Sequence, residues 1–173
     1  MQKCRSRCLL RITPLTSVAC TSSVDTVKAM LELRCSVNPE LKGAGVTPLL
    51  AVVTLNRGCK DAVQVVRLLL EARADPNTAS WQEGIWTFLT WSARAKVALL
   101  GRENCAPWTR DFASMPGLTP LMKSTMSGCE EISELLLRHG ARVLPNDRGE
   151  TPQDLAKAQG HYNLLHLFDT VSV

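Results

Sequence analysis

Seven cysteines and three histidines are the side chains of this 173-residue chain best suited to nucleophilic or metal chemistry. Cys4 and Cys8 stand four apart, yet no second ligand pair follows at zinc-site spacing and no C-x-x-C occurs. An odd number of thiols suits a reduced chain better than a disulfide framework. As small buried hydrophobes with weak S–H donors, the cysteines need no reactive role. His139, His161 and His166 have no sequence neighbours that suggest a triad. Cys59 and Cys129 each follow a glycine, Gly58 and Gly128. No G-x-G-x-x-G, G-x-x-x-x-G-K-[ST] or H-E-x-x-H run is present. The expectation is a chain that is not an enzyme, with no catalytic residue, cofactor or metal.

The net charge of +4 is concentrated at one end. Lys3, Arg5, Arg7 and Arg11 fall in the first eleven residues without an acid, and the remainder carries 16 basic against 16 acidic residues. Such a leader can touch RNA, a membrane surface or an acidic partner. A solvated terminus is the simpler account, and nucleic acid is not the expected partner. No run approaches the roughly 18 apolar residues of a membrane span, and the N-terminus lacks an apolar stretch of signal-peptide length. An intracellular chain, cytoplasmic or nuclear, is expected. The final "DTVSV" could add as a strand to a peptide-binding groove, but such endings are common by chance.

The elements that must position any site repeat along the chain. Thr-Pro recurs at Thr13-Pro14, Thr47-Pro48, Thr119-Pro120 and Thr151-Pro152, with spacings of 34, 72 and 32 residues, the middle one close to two periods. Thr can cap a helix, and Pro suits the first turn, where its missing N–H leaves nothing unbonded. Second apolar clusters follow at Ala29-Met30-Leu31, Leu68-Leu69-Leu70, Leu135-Leu136-Leu137 and Leu167-Phe168, and spacing such as Ile132, Leu135, Leu136 gives one face of a helix. Turn residues lie between the helices at Ser127-Gly128, Gly160-His161 and 21–23, and Gly140 can end a second helix in the left-handed conformation.

This combination resembles the ankyrin repeat family, whose pattern runs G-x-T-P-L-H-x-A-A, a G-H turn, L-L-L and G-A-D-x-N with a period near 33. "GLTPLMKSTMSGCEEISELLLRHGAR" matches it well, as do "GVTPLLAVV" with "LLLEARADPN" and "TPLTSVAC" with "CSVN", and "GETPQDLAKAQGH" looks like a last repeat. The resemblance implies an all-α solenoid of helix–turn–helix repeats. It places the family's turn His at Cys129 and His161. No unit has the His after T-P-L that ties neighbouring repeats together: Thr16, Leu50, Met122 and Asp154 stand there. Arg34 and Arg73 replace the helix-ending Gly, at roughly 1 kcal/mol each if they stay left-handed. In the family, turn tips and the exposed face of the first helices bind partners. Carried over by position, these are Ile12, Val46, Thr54, Leu118, Met126, Ser127, Arg148 and Glu150, a set apolar enough to suit a protein partner.

Residues 78–116 carry no Thr-Pro-Leu, yet hold all four tryptophans, Trp81, Trp86, Trp91 and Trp108. "IWTFLTWSARAKVALL" reads as a helix, while Pro107 and Pro116 bracket a poor partner helix. The near two-period spacing favours a degenerate repeat, with the tryptophans as its irregular core, over an insert or a docking surface. The organisation expected is a basic leader at 1–11, repeat 1 at 12–44, repeat 2 at 45–80, a degenerate or inserted unit at 81–116, repeat 3 at 117–148, and a terminal repeat with tail at 149–173. Two halves, 12–77 and 117–168, flank the weak unit. The function expected is non-catalytic protein–protein interaction, as an adaptor or scaffold. The alternatives are a nucleic-acid or chromatin-associated factor using the leader, and a shortened variant of a longer ankyrin protein.

Overall fold

The computed structural model describes residues 13–21, 23–39, 46–55, 60–79, 85–101, 103–106, 109 and 117–169, and among them every regular element is helical. These elements are α1 (Pro14–Ala19), α2 (Val24–Glu32), α3 (Pro48–Leu55), α4 (Lys60–Glu71), α5 (Ile85–Leu100), α6 (Pro120–Met126), α7 (Glu130–Arg138), α8 (Pro152–Gln159) and α9 (His166–Asp169). A 3-10 turn, Tyr162–Leu164, precedes α9. Each Thr-Pro opens a helix as its chemistry dictates. The hydroxyls of Thr13, Thr47, Thr119 and Thr151 accept the backbone N–H three residues on, at 3.2–3.3 Å. Such a cap contributes about 1 kcal/mol. None of the four helices so started exceeds eight residues, which is too short to persist alone, so packing must hold them.

The second helices end alike despite different residues. Arg34 (φ 55°), Arg73 (φ 65°) and Gly140 (φ 86°) are all left-handed. In each, the N–H of this residue bonds the carbonyl three back, and the next N–H bonds the carbonyl five back. This is the paired C-cap that satisfies the last carbonyls of a helix. The expected left-handed arginines are therefore present, and the hydrogen bonding is kept without glycine.

The first helices stack as α1 on α3, α3 on α6 and α6 on α8, while α2 packs on α4 and α4 on α7. One apolar cluster runs through the array, from Leu15 and Ala19 through Leu49, Val52, Val65 and Leu69 to Leu121, Leu136 and Phe168. A smaller one joins Leu118, Met122 and Leu155. α3 lies between α1, α4 and α6, so all residues from Pro48 to Val53 are buried. Two core hydroxyls form a chain: Ser133 donates to Ser124 Oγ at 2.8 Å, and Ser124 donates to the Leu121 carbonyl at 2.8 Å. Unpaired, each would carry a desolvation cost.

Repeat 2 lies directly against repeat 3, through α3 on α6 and α4 on α7. Asn77 donates to the Gly140 carbonyl at 3.1 Å and accepts the Arg142 N–H at 2.7 Å. Among the described residues no stacked unit stands between them. The two flanking parts likewise share one core rather than forming separate halves. α5 has sixteen residues and no Thr-Pro start, against six to eight residues in the first helices. It ends at Gly101 (φ 81°), with Leu99 85% exposed. The side chains of Trp81, Trp86, Trp91 and Trp108 lie outside the described residues.

Candidate partner-binding surface

Asparagines tie neighbouring repeats together. Asn38 donates to the Arg73 carbonyl at 2.7 Å and accepts the Asp75 N–H at 2.9 Å, binding repeat 1 to repeat 2 as Asn77 binds repeat 2 to repeat 3. Thr16 instead bonds Thr13 Oγ1 at 2.8 Å, and Leu50 and Met122 are buried. Asp154 closes a capping box with Thr151, whose hydroxyl and N–H both donate to its carboxylate and hold that carboxyl below its usual pKa. The loops that carry the tips are thus fixed by side-chain amides that bond two backbone groups at once.

The turn leading into the last repeat is built by one side chain. Asn146 Oδ1 accepts the N–H groups of Arg148 and Glu150 at 2.9 and 3.0 Å, and Asn146 Nδ2 donates to Glu150 Oε2 at 2.8 Å. Asn146 is buried while Asp147 and Arg148 project into solvent. The neighbouring turn approaches closely: a Cβ on Gly117 (φ +76°) would stand 2.7 Å from Asp147 Oδ1. Helix–turn contacts on the opposite side are as tight, since a Cβ on Gly128 (φ +70°) would stand 2.7 Å from the His161 ring.

The residues carried over by resemblance now divide. Val46, Thr54, Met126 and Ser127 are half-buried, and Arg148 is exposed at a tip. Ser127 lends its backbone more than its hydroxyl, because its Oγ is buried without a partner. Glu150 is half-buried and its carboxylate is engaged by Asn146, so it shapes the turn. Leu118 is a correction: it is fully buried against Met122 and Leu155, because the next repeat packs over it. Ile12 lies outside the described residues. Two residues escaped the sequence reading. Asp147 shares the tip with Arg148, and Leu55, 62% exposed, ends α3 beside Thr54. Leu55 could have been found, since it occupies in repeat 2 the position of Ser127 in repeat 3.

The chemistry-bearing side chains are dispersed. Cys20, Cys35, Cys105 and Cys129 are free thiols, and no group of three His, Cys, Asp or Glu among the described residues could hold a metal ion. Burial pushes the Cys20 thiol up from its ordinary value. His166 leans on Glu130 at 3.6 Å and on the Asn163 carbonyl, an exposed bracing of α9 against α7. Among the described residues no helix is long and apolar enough to cross a membrane.

The Ankyrin repeat family model matches residues 44–81 and 116–152, leaving residues 82–115 between the two matched ranges. Among curated proteins the chain is similar to the glycerophosphocholine phosphodiesterase gde1 of Schizosaccharomyces pombe, 30% identical over 166 residues. That match covers 94% of this chain but only 14% of the yeast protein. Among solved structures it is similar to the human ASB11 ankyrin repeat domain, with a TM-score of 0.61 and 18% identity, covering 93% of this chain and 55% of that one. At that identity the likeness concerns the fold: an all-α ankyrin solenoid.

Proposed function

Since this chain carries ankyrin repeats, a fold that marks protein-interaction modules, we propose that it is a non-catalytic adaptor or scaffold. Its partner is a protein, held by the first-helix face and the turn tips. The residues proposed to make contact are Val46, Thr54, Leu55 and Met126 on the face and Asp147 and Arg148 at the tip, with Ser127 at the α6 turn. The observation that carries this reading is the rigidity of the tip. Asn146 spends its side chain on three bonds that hold Asp147 and Arg148 outward, and a preorganised surface loses little entropy on binding. Apolar Leu55 and half-buried Met126 supply an area that water covers poorly. The phosphodiesterase named in yeast is a far longer protein, and no hydrolytic role is proposed for this chain. An intracellular setting, cytoplasmic or nuclear, goes with the free thiols.

A photo-crosslinking amino acid placed at Leu55 or Met126 in cells tests the proposal, with one at exposed Lys157 on α8 as the control. Discrete protein adducts are expected from the first two positions and should vanish when Arg148 and Thr54 are replaced by Glu. Adducts that form equally from Lys157, or that survive those replacements, would remove the inner face from the binding surface.

A further inference from the structure

On the opposite layer, α2 and α4 lie side by side and leave a groove of about 350 Å³ lined by Val24, Lys28, Gln64, Arg67 and Leu68. Helical spacing explains the lining. Val24 and Lys28 are one turn apart on α2, and Gln64, Arg67 and Leu68 share a turn of α4. The half-buried Val24 and Leu68 form an apolar floor, while Lys28 and Arg67 are exposed above it. Neither cation makes an ion pair or a side-chain hydrogen bond among the described residues. No acid contributes to the lining.

We propose that this groove docks a short acidic peptide segment of a protein partner, with an apolar side chain on the floor and a carboxylate at each cation. This surface is separate from the first-helix face and tips, so the inference goes beyond the function proposed above. Charge complementarity selects the occupant. Two cations without an ion-pair partner among the described residues, above an apolar floor, suit carboxylates flanking a leucine-like side chain, and Gln64 can bond the peptide backbone. A nucleic acid fits worse. Asp25 precedes Lys28 by one turn and Glu71 follows Arg67 by one turn, both exposed. These acids confine the positive field to a patch one peptide wide, where a phosphate backbone needs a continuous basic track. The guanidinium of Arg67 also matches a carboxylate bidentately.

The test maps amide chemical shifts of the full chain titrated with an end-blocked EELEE peptide, its QQLQQ counterpart and an oligouridylate. EELEE is expected to shift amides of 24–28 and 64–68, to bind less well as salt rises, and to bind on the order of tenfold more weakly to the Lys28→Glu, Arg67→Glu double variant. QQLQQ should bind weakly. Both substitutions are at exposed positions, and an unchanged far-UV spectrum confirms that the variant folds. Four results would each overturn the proposal: no shifts with peptide in the millimolar range, shifts centred on other residues, equal binding by QQLQQ, or equal binding to the double variant. Stronger shifts of the same amides by oligouridylate would reassign the cations to nucleic acid and overturn it as well.

Discussion

Replacing Asn77 by Ala probes the junction at which the chain leaves the stack and returns to it. The side chain makes two bonds across that junction, to the Gly140 carbonyl at 3.1 Å and from the Arg142 N–H at 2.7 Å. A neutral hydrogen bond contributes about 0.5–1.5 kcal/mol net. Gly140 and Arg142 are exposed, so water can replace the lost amide and the lower half of that range applies. The expected loss is about 1–2 kcal/mol for the pair. Asn38→Ala is the internal reference, because Asn38 makes the same two bonds, at 2.7 and 2.9 Å, between repeats 1 and 2. Urea unfolding followed by far-UV circular dichroism gives both values by linear extrapolation, and the slopes should be unchanged. Similar losses are expected. A neutral Asn77→Ala beside a destabilising Asn38→Ala would refute the direct stacking of repeats 2 and 3.

Three further outcomes are expected. Arg34→Gly and Arg73→Gly should each stabilise the array by about 1 kcal/mol in the same urea assay, because the left-handed caps are kept and the Cβ strain is removed. Gly128→Ala should lose roughly 1 kcal/mol more than Gly140→Ala in thermal or urea unfolding. Both are left-handed, but only at Gly128 does the new Cβ meet a neighbour, the His161 ring. The third concerns acid. The carboxyl of Asp154 is held below its usual pKa by the Thr151 hydroxyl and then by the Thr151 N–H. A depressed folded pKa gives stability that is fully present above the unfolded carboxylate value and is lost as pH falls through the folded one. Amides at the start of α8 should therefore show faster hydrogen exchange only below the ordinary carboxylate range, and Asp154→Asn should flatten that dependence.

The repeats were legible because their signals are local. A Thr hydroxyl reaches the N–H three residues on whatever the rest of the chain does, so Thr13, Thr47, Thr119 and Thr151 mark four helix starts directly. Arg34 and Arg73 were legible as left-handed caps because they stand where the ankyrin pattern has its helix-ending Gly. The stack order was not. Which helix lies against α3 is a contact across more than forty residues. The candidate surface was half legible for the same reason. Repeat phase identifies which positions face inward, but whether a neighbour covers Leu118, or whether Asn146 claims the carboxylate of Glu150, depends on the adjoining repeat.

Direct stacking of repeats 2 and 3 also has a mechanical side. A pull on the two ends of the array passes from α3 to α6 and through the Asn77 bonds. The 79–116 stretch joins the two sides covalently and measures about 130 Å at full extension. The junction between repeats 2 and 3 is thus a fuse with a tether behind it. The array can be forced open at that one place and still keep its two sides within reach of each other for re-closure.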